Sequence, residues 1–183
     1  MTTSTQQATR LATGTWEIDP VHSNIGFEVK HLGISVFRGG FARFAGRIEV
    51  ADGAVSAVEG TIDPDSIDVT DETLAGHLRS PDFFDVDDHP EIEFASTAIE
   101  PAGEGFRLLG DLTIRGITRP VELEVKLEGA GVGPDGSERI AFSAEGVIDR
   151  NDYGMTWNAD LGNGNTALGG EVRLVLAAEA VRK

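Results

Sequence analysis

Apolar and polar residues alternate one for one along most of this chain, which is how a strand reads when one face is buried and the other meets water. In "SNIGFEVKHL", Ile25, Phe27 and Val29 fall on one face, Glu28 and Lys30 on the other. "FRLLGDLTIR" sets Phe106, Leu108, Leu112 and Ile114 against Arg107, Asp111, Thr113 and Arg115. The alternation is cleanest in "PVELEVKLEG", where Val121, Leu123, Val125 and Leu127 oppose Glu122, Glu124, Lys126 and Glu128. "EVRLVLAAEA" repeats it with Val172, Leu174 and Leu176, and further strands are expected at 14–19, 40–51, 55–63, 91–99 and 138–149. Turn signals fall between them, at "ADGA" (51–54), "PAGEG" (101–105) and "GAGVGPDGS" (129–137). Short connections and one-sided alternation mean antiparallel pairing. About eight such strands close naturally into a barrel, which removes the exposed edges of an open sheet. The expected fold class is therefore all-β, a single antiparallel eight-stranded barrel.

One segment breaks the two-residue period. "TDETLAGHLRS" predicts a short helix at about 71–80, with Thr70 as its cap, Asp71 and Glu72 at the favourable end of the dipole, and Leu74 and Leu78 as a narrow apolar stripe. Pro81 stops it, because the residue before a proline is pushed out of the α region. Directly beyond stand Phe83 and Phe84, two of nine phenylalanines in the chain. A helix inserted between barrel strands lies across an end or along the outside, so this pair either plugs the core or lids a tunnel. The interior leaves the same two options, since barrels of this size are filled by their own side chains or hold one small ligand. Gly26, Gly46, Gly60, Gly110 and Gly146 sit among the inward residues, where glycine bends a strand or leaves room for something to approach.

Composition narrows the function. A chain of 183 residues fits one domain, expected at 14–183 behind a loose tail at 1–13. A formal charge of −16 argues against nucleic acid and against permanent membrane attachment, both of which call for Lys/Arg patches. A homodimer is left open. There is no cysteine, hence no disulfide and no thiolate metal site. The first residues lack the apolar core of an export signal, which leads to an expected place in the cytoplasm.

Chemical motifs do not survive their structural requirements. Gly162-x-Gly164-x-x-Ala167 lacks the helix that a dinucleotide fingerprint needs after its glycines, and the acids of "DFFDVDD" lack calcium-loop spacing. His22, His31, His77 and His89 show no tight metal spacing, and His22 is expected to be a turn histidine bonded to backbone. His31, Arg38, His77 and Arg79 are candidates for a polar role at a tunnel mouth. No catalytic residue, metal or cofactor is expected.

Four stretches then resemble one family, in its order: "WEIDPVHSNIGFEVKHLGIS", "HLRSPDFFDVDDHPEIEF", "LTIRGITRPVEL" and "IDRNDYGMTW". They are similar to the YceI-like proteins, bacterial lipocalin-like barrels that bind polyisoprenoid lipids, and the resemblance covers roughly residues 14–180. It implies an extended lipocalin-like barrel threaded by an isoprenoid quinone, a polyprenyl chain or another long-chain apolar lipid, without catalysis. Members with an export signal are periplasmic. The positions matching pocket-facing residues are Ile25, Phe27 and Val29, then Leu74, Leu78, Phe83 and Phe84, then Ile92 and Phe94. Leu112, Ile114, Val121, Leu123 and Val125 follow in the third stretch, Met155 and Trp157 in the fourth. Two alternatives stand beside the carrier: an enzyme acting on a hydrophobic substrate inside the barrel, and a stress-associated interaction domain with a filled core.

Overall fold

The alternating segments pair as the period requires. The computed structural model describes residues 10–103, 105–162 and 164–183. Its strands are β1 (Gly14–Ile18), β2 (Asn24–His31), β3 (Ser35–Phe41), β4 (Phe44–Ala51), β5 (Ala54–Ile62), β6 (Ile67–Asp68), β7 (Ile92–Ala102), β8 (Gly105–Ile114), β9 (Ile117–Val132), β10 (Glu138–Asp149) and β11 (Leu168–Arg182). One helix, α1 (Glu72–Arg79), lies between β6 and β7, and single 3-10 turns follow β5 and β10. Hydrogen bonding runs β1-β4-β5-β7-β8-β9-β10-β11 and back to β1, all antiparallel, so eight strands close a barrel. No described helix is long and apolar enough to cross a membrane.

The barrel is extended because two of its staves are built in pieces. β11 pairs with β1 near its C-terminal end (Ile18↔Ala180) and with β2 further along the same edge (Asn24↔Ala177), so β1 and β2 form one interrupted stave. β3 and β4 form another, pairing with β2 and β1 respectively. At the second break the amides of Ala42 and Arg43 bond the carbonyl and the hydroxyl of buried Ser66 at 3.0 and 2.8 Å. The strand expected at 40–51 is thus two strands, and β3 is an element the alternation did not reveal. β9 also runs on to Val132, into the segment expected to turn at 129, where a bulge at Ala141/Phe142 keeps β9 and β10 paired.

Helix α1 falls inside its expected range, but its cap is Asp71 rather than Thr70: the Asp71 carboxylate accepts from the Leu74 amide at 2.8 Å. Ser80 leaves the helix in extended conformation, as Pro81 demands. Of the tail expected at 1–13, residues 1–9 lie outside the described residues. The next four run along the barrel, with Leu11 donating to the Gly53 carbonyl (3.1 Å) and the Ala12 carbonyl accepting from the Trp16 indole (3.1 Å).

Two hydrophobic clusters occupy the two ends. Trp16, Ile48, Val50, Ile140, Phe142 and Ala180 belong to one, and Trp16, Ile140 and Ala180 are almost wholly enclosed. The other gathers α1, the segment after it and the facing strands through Ala75, Leu78, Phe83, Phe84, Ile92 and Tyr153.

Candidate functional site

Between those clusters the barrel is hollow. The cavity measures about 520 Å³, and its wall includes all nine phenylalanines of the chain: Phe27, Phe37, Phe41, Phe44, Phe83, Phe84, Phe94, Phe106 and Phe142. Six of them, Phe27, Phe37, Phe41, Phe44, Phe94 and Phe106, are only half-buried although they border the interior. In a filled barrel such rings would be sealed by neighbours.

Local sequence explains why the rings sit where they do. Alternation aims Phe27 inward from β2, and the facing residue on β3 is Gly39, where any Cβ would strike the Phe27 ring. Phe94 lies over Gly110 in the same way. These glycines give space to aromatic rings, while Gly26, Gly46 and Gly60 border the cavity itself. At the helix end Phe84 meets Phe41 edge-on (centroids 5.4 Å) and Phe27 (6.5 Å), whereas Phe83 contacts Trp157 (5.6 Å) and His77 (5.0 Å). Phe83 and Phe84 are both core and wall: they are 6% and 9% exposed and border the cavity. The opposite end is stopped by side chains, since Trp16, Val50, Ile140 and Ala180 are buried there and none of them borders the hollow.

Comparison with known proteins agrees with this architecture. The family model described as the YceI-like domain matches residues 16–180. This chain belongs to the YceI-like family. A UPF0312 protein of Pectobacterium carotovorum is 39% identical over 164 residues, spanning 88% of this chain and 82% of that protein. Among solved structures, BcnA of Burkholderia cenocepacia superposes with a TM-score of 0.76 at 22% identity, covering 88% of this chain and 98% of that one. A polyisoprenoid binding domain from Saccharophagus degradans, implicated in plant cell wall breakdown, gives 0.67 at 13% identity, covering 94% and 100%. At such identities these two structures speak for the fold.

All sixteen positions singled out from the sequence lie on the wall of this YceI-like barrel, from Ile25, Phe27 and Val29 through α1 to Met155 and Trp157. The wall also includes residues that were not singled out. Phe37 and Phe41 stand on β3, and Phe106, Phe142, Ala144, Ile148, Leu174 and Leu176 continue the inward faces of β8, β10 and β11. The last six were legible from the same alternation, and all but Ile148, which opens the fourth family stretch, fall outside the family's motifs. Ionisable groups on the wall are His31, Glu59, His77 and Arg150. Of the four residues proposed for a polar mouth, His31 and His77 border the cavity. Arg38 instead pairs with Glu28 across the β2–β3 hairpin (2.8 Å), and Arg79 bonds the Asp65 carbonyl (3.0 Å).

At the break between β1 and β2, Asp19, His22 and Glu179 bring their ligand-type atoms within 4.8 Å of one another. Arg139 already bridges both carboxylates, at 3.0 Å to Asp19 and 2.6 Å to Glu179. His22 closes the turn as expected, its amide donating to the Asp19 carbonyl (3.3 Å), while its ring bonds the Asp19 carboxylate (2.8 Å). The bond from His22, then that from the Val21 amide, and more weakly Arg139, hold the Asp19 carboxyl down at about 2 against the opposing effect of burial. A carboxyl depressed by folding stabilises fully above its unfolded value of about 4 and loses that contribution as pH falls towards about 2. Urea midpoints of wild type and Asp19→Asn are therefore expected to differ by a constant amount at neutral pH and to converge below about pH 4. A gap that persists at pH 2 would show that the carboxylate charge is not what joins these staves.

Proposed function

We propose that this protein binds a long apolar lipid of the polyisoprenoid type, an isoprenoid quinone or a polyprenyl chain, and carries or stores it without catalysis. The observation that carries this reading is the collection of every phenylalanine in the chain around one unfilled cavity. Nothing in the energetics of a stable barrel calls for leaving so much aromatic surface uncovered, whereas a flexible chain drawn into it gains burial along its whole length. Each CH₂ removed from water contributes roughly 0.8 kcal/mol, so ten carbons supply about 8 kcal/mol before ordering costs. Family membership and the fold shared with the Saccharophagus polyisoprenoid binding domain support the same ligand class.

The wall's ionisable groups favour binding over chemistry. His77 is bonded to Asp82 (2.9 Å) and set edge-on against Phe83 and Trp157, while Arg150 is spent largely on backbone carbonyls. A site for acid–base work needs groups converging on a reacting atom. Native mass spectrometry of protein purified without added lipid is expected to show a bound mass that solvent extraction releases as a prenyl lipid. A homogeneous ligand-free mass, together with no uptake of offered prenyl quinones, would remove the proposal.

A further inference from the structure

Arg150 is the anomaly in this greasy chamber. It is 4% exposed and borders the cavity, yet no carboxylate among the described residues pairs with it. Its Nε donates to the Gly169 carbonyl (2.8 Å), and its Nη1 to the carbonyls of Trp157 (2.9 Å) and Met155. The carboxylate beside it in sequence, Asp149, is engaged by the amide and side chain of Asn151 at 2.9 and 2.7 Å. Nη2 has no partner among the described residues. Among the described residues, the fully enclosed polar side-chain atom without a partner is the Tyr153 hydroxyl, so the free Nη2 keeps accessible surface.

An arginine stays cationic even when buried, and an uncompensated buried charge is costly. Burial does push this guanidinium below its ordinary value, with Asp149 offsetting only part of the effect. Carbonyl dipoles solvate one side of the group, and the other side lacks its counter-charge. The planar N–H fork of arginine matches the oxygens of a carboxylate or phosphate, and such a bond strengthens where water is scarce.

We propose that the tunnel's preferred ligand is an anionic amphiphile, whose chain lies among the phenylalanines while its terminal carboxylate or phosphate takes the free Nη2 of Arg150. This rests on the carrier reading and adds a head-group class to it. The net charge of −16 repels anions at long range, so any preference for them has to arise from local contact at this residue.

Titrating the wild-type protein with geranylgeraniol, geranylgeranoic acid and geranylgeranyl phosphate tests it at equal chain length. The acid, the phosphate or both are expected to bind about ten- to a hundred-fold more tightly than the alcohol, the yield of a charge-assisted hydrogen bond. A preference for one anion over the other identifies whether carboxylate or phosphate is the natural terminus. Arg150→Gln is expected to bring the anion-to-alcohol affinity ratio down to about one. Equal affinities for all three ligands on the wild-type protein overturn the proposal, even if the variant fails to fold, and so does an anion preference that survives Arg150→Gln. Binding of the alcohol alone also overturns it while sparing the carrier reading, whereas no binding of any of the three overturns both.

Discussion

Ala144→Phe is expected to abolish uptake of a long apolar chain while leaving the barrel folded. Ala144 lies on β10, opposite Val125 of β9 and Leu176 of β11, and borders the cavity between the two end clusters. Because Ala144 borders the cavity, a phenylalanine here is expected to extend into it rather than into packed neighbours, without the strain that makes overpacking costly. The new ring gains apolar contacts that alanine lacks, and thermal unfolding is expected to shift by no more than a few degrees. Binding responds differently, because a chain threaded along a tunnel cannot pass an obstruction at its middle. If five carbons are denied burial, about 4 kcal/mol is lost, close to a thousand-fold in Kd. Shorter prenyl chains that stop before residue 144 are expected to keep their affinity. Unchanged binding of long chains to a folded Ala144→Phe would place the lipid elsewhere than in this cavity.

That prediction depends on an interior kept open by a division of labour along the barrel. Trp16, Ile140 and their neighbours supply the dense packing at one end, and Phe83, Phe84 and Tyr153 at the other. With stability gathered at the ends, the middle is free to remain unfilled. Stabilities of natural domains are only about 5–15 kcal/mol, so a hollow of this size persists only where burial elsewhere compensates.

The barrel was legible in the sequence because its signal is local. One-for-one alternation in "PVELEVKLEG" fixes which side chains share a face, and a face of valines and leucines has to turn inward. The breaks between β1 and β2 and between β3 and β4 were not legible, since the groups that satisfy them are remote: Asp19 donates its amide to the Glu179 carbonyl, and Ser66 serves Ala42 and Arg43. β3 escaped notice for a related reason. In "SVFRGGF" the inward position between Phe37 and Phe41 is Gly39, and its emptiness makes sense only once the ring of Phe27 is seen to fill it. Arg150 was hidden by its own charge. An arginine after a strand reads as exposed, and its burial depends on carbonyls at 155, 157 and 169 that come round to meet it. Most of the wall was therefore written in period and motif, whereas the burial of Arg150 emerged only from tertiary structure.

Leu74→Asp and Phe84→Ala are expected to part company, although both residues border the cavity. Leu74 is half-buried on α1, one turn above the Leu78 that anchors the helix. An aspartate there keeps access to water and leaves the Asp71 cap intact, so the cost in stability is expected near 1 kcal/mol, or a few degrees in Tm. It nonetheless sets a carboxylate against any oily chain, and affinity for a neutral prenyl lipid is expected to fall tenfold or more. Phe84 is 9% exposed, holds the rings of Phe27 and Phe41, and donates its amide to the Leu78 carbonyl at 2.9 Å. Truncating so enclosed a ring typically costs about 3–5 kcal/mol, which in a domain of this size lowers Tm by roughly 10 °C. Thermal unfolding and lipid titration of the two variants, run side by side, separate lid from core. Should Leu74→Asp unfold as readily as Phe84→Ala, Leu74 belongs to the packing that holds the barrel shut, as Phe84 does, and is not merely wall that a lipid touches.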